Sequence, residues 1–114
     1  MPFISSRVSV PVSGEQKDSL AKELGKMIAL IPGKSEEWLM LEFAGGCEMY
    51  FAGDRSQPCA MIEIKVFGKI PADSSAQMTK AVCGLYEKEL HIKKERIYIK
   101  YEEVSQWGWN AVNF

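Results

Sequence analysis

One histidine and three cysteines, His91 with Cys47, Cys59 and Cys83, are the only imidazole and thiol ligands in a chain of 114 residues. They form no CxxC and no Cys/His ligand spacing, which argues against a zinc site. An odd cysteine count also gives no disulfide framework, and points to a reducing, cytoplasmic-type environment. Charge of one sign is missing too. Fourteen basic residues against fifteen acidic ones leave a net charge of -1, so no global field favours nucleic acid or an anionic membrane. The densest basic run, His91 to Arg96, reads as a solvated helix exit and turn. No apolar window approaches the ~18 residues of a spanning helix. Ser5, Ser6 and Arg7 interrupt the amino terminus before the apolar run of a secretory leader can form.

What is present is ordinary for a globular protein: 46% hydrophobic and 25% charged residues, consistent with one domain over residues 1–114. Residues 3–10, FISSRVSV, are rich in β-branched and aromatic side chains and read as a strand that ends before residue 12. Ser13 stands three residues ahead of Gln16 in a capping-box arrangement. Leu20, Leu24, Met27, Ile28 and Ile31 follow at helical spacing, and PGK at 32–34 stops the helix. The nearly continuous apolar run from Trp38 to Ala44 predicts a buried, parallel strand. Glycines at 45, 46 and 53 mark loops in the middle of the chain.

The pattern then repeats. Residues 59–66, CAMIEIKV, alternate, with Ile62, Ile64 and Val66 on one face and Glu63 and Lys65 on the other. Ser74 and Gln77 offer a second capping box ahead of a helix defined by Met78, Val82, Leu85 and Leu90. The last predicted strand, RIYIKYE, places Ile97, Ile99 and Tyr101 opposite Tyr98, Lys100 and Glu102, and an aromatic segment, WGWNAVNF, closes the chain. The expected fold is therefore α/β (α+β): two tandem βαβ units, about residues 2–44 and 59–103, each with parallel strands joined by a right-handed crossover. Paired about a pseudo-two-fold axis, they make a four-stranded mixed sheet with both helices on one face. The other face, carrying Glu63, Lys65, Tyr98 and Lys100, is too polar for a monomer core and suits a subunit interface.

Seven short signatures occur in order over nearly the whole chain: MPFI at the start, GK at 33–34, PCA at 58–60, GKI at 68–70, CGL at 83–85, RIYIKY at 96–101 and GWN at 108–110. Together with the tandem βαβ units, they resemble the macrophage migration inhibitory factor and D-dopachrome tautomerase family of the tautomerase superfamily. The resemblance implies a homotrimer with shared active sites and keto-enol tautomerisation of phenylpyruvate-type α-keto acids, with dopachrome-type compounds as a second class. It implies Pro2, freed by removal of Met1, as general base. An α-amino group has a pKa of roughly 7.7 to 8.0, and burial or a nearby cation lowers it toward the operating pH. Without the resemblance, Pro2 reads as the harmless first residue of an edge strand.

By the same resemblance Lys34 binds the substrate carboxylate, the backbone N–H around Phe67 assists it, and Tyr98 enters the pocket from a neighbouring subunit. Read as residues alone, Lys34 is a charged residue after a helix stop and Tyr98 an exposed strand aromatic. Trp38 and Trp107 fall at the pocket rim, and Trp109 reads either as rim or as interface packing. Lys100 departs from the family, where asparagine is found, and brings a second cation toward the pocket. CAMI at 59–62 replaces the family's CxxC, so thiol-disulfide chemistry is not carried over. No cofactor or metal is implied. The alternative is a leaderless secreted, cytokine-like protein that binds a cell-surface receptor, with catalysis vestigial or, if Met1 is retained, absent.

Overall fold

The computed structural model describes residues 1–114. In chain order the elements are β1 (Pro2–Val8), α1 (Gly14–Met27), β2 (Met40–Ala44), β3 (Ala60–Phe67), α2 (Ala72–Leu90), β4 (Ile97–Val104), β5 (Gly108–Trp109) and β6 (Val112–Asn113). The first four strands form one sheet in the order β2-β1-β3-β4. Strands β1 and β2 are parallel, as are β3 and β4, while β1 and β3 meet antiparallel with Pro2 opposite Val66 and Val8 opposite Ala60. This is the expected pair of βαβ halves joined into a mixed sheet.

Alternation along the strands decides which face the helices cover. Ile4 and Val8 of β1, Ile62, Ile64 and Val66 of β3 and Ile97 of β4 pack with Leu20 and Leu24 of α1 and Met78, Val82 and Tyr86 of α2 in a single buried cluster. Each fully buried aliphatic side chain contributes roughly 1.5–3 kcal/mol. The opposite face has no helix. It carries Arg7, Glu63 and Lys100, with Glu63 3.0 Å from Arg7 and 3.7 Å from Lys100.

The capping box of α1 forms as expected: the Ser13 hydroxyl accepts from the Gln16 N–H at 3.1 Å, and the Gln16 side chain accepts from the Ser13 N–H at 2.9 Å. The second box, from Ser74 to Gln77, does not form. Helix α2 begins earlier, at Ala72, with Pro71 as its cap residue, which buries Ser74 inside the first turn.

Three further expectations are corrected. The run from Trp38 to Ala44 is not a buried strand. Trp38 ends a short turn of 3-10 helix, the strand starts at Met40, and β2 lies at the sheet edge with Met40 67% exposed. An apolar run signals burial on both faces, but β2 has only β1 as a neighbour in this chain. Pro2 conversely does not begin an edge strand. Strand β1 is flanked on both sides, and Pro2 is tolerated because it is the first residue. The basic run from His91 to Arg96 is not wholly solvated either, since Arg96 donates to the Pro58, Asp54 and Gln57 carbonyls.

The aromatic tail folds into the β5-β6 hairpin, which no strand or turn pattern in the sequence signals. Asn110 and Ala111 turn it with φ of 53° and 65°. No helix is long and apolar enough to cross a membrane.

Candidate active site

Three features of the fold converge on the first residues of β1. The first is the turn after α1. Ile31, Pro32, Gly33 and Lys34 form a type II turn, with the Lys34 N–H donating to the Ile31 carbonyl at 3.1 Å and Gly33 at φ 78°. Proline presets the second position and glycine accepts the positive φ of the third. The turn delivers Lys34 to the end of β3, where its ammonium donates to the Phe67 carbonyl at 2.7 Å. Gly25, buried in α1, lies under the Glu36 side chain, which would have to move to admit a Cβ there.

The second feature is the end of β3 itself. The Phe67 N–H donates to the Met1 carbonyl at 3.0 Å. One residue is therefore held through both its main-chain groups, the N–H by Met1 and the carbonyl by Lys34.

The third is the carboxyl-terminal hairpin. Trp109 stands edge-on to Trp38 with ring centroids 5.0 Å apart, and Phe114 packs on Phe67 at 5.7 Å. The Phe114 N–H donates to the Trp107 carbonyl at 3.0 Å, which ties the last residue to the start of the hairpin. Between these aromatics and β1 lies an open, mainly apolar cleft of about 540 Å³, bounded by Pro2, Trp38, Met40, Trp107 and Trp109. A smaller cavity of about 280 Å³ adjoins Met1, Gly33, Phe67 and Phe114.

The electrostatics suit a base. The amino group of Met1 is held below its ordinary value of 8.0, first by burial and second by the Lys34 cation. Pro2, one residue further in, is buried. No group of three His, Cys, Asp or Glu side chains stands close enough to hold a metal ion.

Of the residues singled out from the sequence, Pro2, Lys34, Phe67, Trp38 and Trp107 gather in this region. Tyr98 and Lys100 do not. In the β3-β4 register Tyr98 lies opposite Met61, whereas Pro2 lies opposite Val66. Five residues of strand separate them, about 16 Å. Lys100 is 3.7 Å from Glu63 and 3.8 Å from Glu102 on the helix-free face.

Trp109 also lines the cleft. Met40 and Phe114 were missed. An exposed methionine at a strand edge and a final phenylalanine carry no local signal of a pocket, and both reach it only through the hairpin and the edge position of β2.

The fold and the cleft define an α+β protein of two βαβ halves, with its first residues beside an apolar cleft and a lysine. The chain belongs to the macrophage migration inhibitory factor family of the tautomerase superfamily, whose family model matches residues 1–114. It is 31% identical to macrophage migration inhibitory factor of Xenopus laevis over 116 residues, covering 100% of this chain and 99% of that one. Among solved structures, Leishmania major MIF2 superposes with a TM-score of 0.93 at 29% identity, covering 100% of this chain and 97% of that one. Macrophage migration inhibitory factor of Toxoplasma gondii gives 0.90 at 26% identity, covering 98% and 99%. Membership supports a tautomerase or cytokine-like function in general.

Proposed function

We propose that the mature protein is a keto-enol tautomerase of phenylpyruvate-type α-keto acids, with Pro2 as general base. The observation that carries this reading is the clamp on Phe67. The Met1 carbonyl occupies the Phe67 N–H. Removal of that one residue exposes the secondary amine of Pro2 and also releases the amide that would bind a carboxylate. Lys34, already turned to the Phe67 carbonyl, would add a cation beside the same carboxylate.

Burial and the Lys34 cation lower the pKa of the Met1 amine, and the same two causes would act on a freed Pro2 amine, favouring the neutral form that accepts a proton. The amine takes the proton from the carbon beside the keto group, the electron pair forms the C=C bond, and the keto oxygen gains a proton. The charged ring nitrogen returns one proton, so nothing is consumed. Trp38, Trp107 and Trp109 suit an aryl substituent.

We further propose a single domain that works as a homotrimer. Tyr98 and Lys100 stand on the helix-free face, too far along the sheet to reach Pro2 of their own chain. They would complete the cleft of a neighbouring copy. We also propose a cytoplasmic location, with leaderless secretion as a second destination.

The test uses protein whose amino terminus is verified by intact mass. Phenylpyruvate ketonisation, followed by ultraviolet absorbance, should proceed with the Pro2 form and fall by about a hundredfold or more in Pro2→Gly and in the Met1-retaining form. Equal rates in all three forms would sink the mechanism.

A further inference from the structure

The role proposed above for Tyr98 leaves open what holds its ring. Tyr98 is 62% exposed on a face without helices, and its ring packs within the chain on Phe51, centroids 5.0 Å apart at 60°. Phe51 belongs to no long strand or helix. It opens a two-residue turn, in which the N–H of each of Phe51 and Asp54 donates to the other's carbonyl at 3.0 Å. Ala52 and Gly53 between them have φ of 52° and 76°, the type I′ geometry. The Asp54 carboxylate accepts from the N–H and hydroxyl of Ser56 at 2.8 and 2.7 Å, which closes the next bend.

Arg96 fastens this loop to β4. Its Nε donates to the Pro58 carbonyl at 3.0 Å, and one terminal nitrogen donates to Asp54 at 3.0 Å and Gln57 at 3.1 Å. Its guanidinium carbon lies 5.2 Å from the centre of the Phe51 ring. Three carbonyls spread over the loop require a rigid planar fork of donors, which arginine has and lysine lacks. The guanidinium and Tyr98 therefore both contact the ring of Phe51, and Tyr98 follows Arg96 by two residues.

From this geometry we infer that Phe51 and Arg96 are positioning residues for Tyr98: they set the direction in which its ring leaves the sheet toward the cleft of a neighbouring copy. This rests on the tautomerase reading for its kinetic consequence, but the geometry of positions 51, 96 and 98 belongs to one chain. Arg96 is thereby assigned more than loop stability, and Phe51 acts through Tyr98 without touching substrate.

Two measurements on the oligomeric, Pro2-terminated protein test it. Phe51→Leu and Arg96→Lys should each raise KM for phenylpyruvate by roughly three- to tenfold with kcat changed by less than about twofold. Neither should change KM further when combined with Tyr98→Ala. In protein carrying 3-fluorotyrosine, the Tyr98 resonance, assigned with Tyr98→Phe, should shift in both variants while those of Tyr86 and Tyr101 stay. A loss of kcat and stability alone, effects that add to Tyr98→Ala, a silent Tyr98→Ala, or an unmoved Tyr98 resonance would each overturn the inference. Pro2→Gly run alongside reports on the base separately: turnover that survives it removes the proton-transfer mechanism, while the fluorine shift still decides the positioning.

Discussion

Lys34 acts on the Met1 amino group through charge and on Phe67 through a hydrogen bond, and the first has its own signature in pH. Replacing it with alanine removes the cation that helps keep the amine below 8.0. The amine pKa then rises, a larger fraction is protonated at neutral pH, and the ascending limb of kcat/KM against pH moves to higher pH. A pH-rate profile of Lys34→Ala against wild type checks the sign, and an NMR titration of the amine in the Met1 form should move the same way. Lys34 and Pro2 were legible in the sequence because short ordered signatures carry them. The Phe67 amide was legible only as a position in such a signature, since a main-chain group leaves no mark in residue type. Arg96 was misread as solvated, because its three acceptors are carbonyls of residues 54 to 58 and only the fold brings them near.

At the scale of elements, local chemistry predicted what local chemistry controls. The Ser13 box is written within four residues and forms as read, and Pro32-Gly33, read as a helix stop, follows the helical segment as a type II turn. Gly33→Ala should destabilise the protein by about 1–2 kcal/mol, because φ of 78° is strained for any residue with a Cβ, although space is open there. Urea denaturation measures it, and a loss of activity larger than the unfolded fraction would report displacement of Lys34. The β5-β6 hairpin escaped notice for the converse reason. Its two-residue turn is Asn110-Ala111 where the usual signal is Asn-Gly, and Ala111 sits at φ 65°. Ala111→Gly should therefore stabilise by up to about 1 kcal/mol, the relief at φ 65° exceeding the added freedom of the unfolded chain. Hydrogen exchange at the Phe114 amide should slow in step. The failed Ser74 box and the edge position of β2 share a different cause: Pro71 starts α2 early, and strand order is not encoded in any one strand.

For the whole molecule, polar contacts join the sheet to its helix layer: the hydroxyls of Ser6 on β1 and Tyr86 on α2 meet in the buried interior, and the Tyr101 hydroxyl on β4 bonds Thr79 and the Ser75 carbonyl of α2 at 2.8 and 3.0 Å. Burial pushes the Tyr86 phenol from 10.0 up to about 12, with the Ser6 bond opposing it. The folded state thus keeps its proton where the unfolded chain loses it. Stability from this group is full below pH 10 and is lost as pH rises through 12, by roughly 2–3 kcal/mol in all. Denaturation at pH 9 and pH 11.5 should show the loss, and Tyr86→Phe should flatten it while leaving Ser6 buried without its partner, at a cost of about 1–2 kcal/mol. The alternation of β3 and β4 was legible in the sequence and separates the two faces of the sheet. The helix-free face carries the ion pairs of Glu63 with Arg7 and Lys100.

The clamp at the end of β3 carries an evolutionary consequence. If position 67 serves by its peptide alone, its side chain can drift among descendants of this gene without silencing the enzyme, constrained only by packing against Phe114. Proline is the sole replacement that deletes the donor outright. A saturation library at this codon would then show one dead variant among many graded ones, a signature that separates a site built from backbone from one built from side chains.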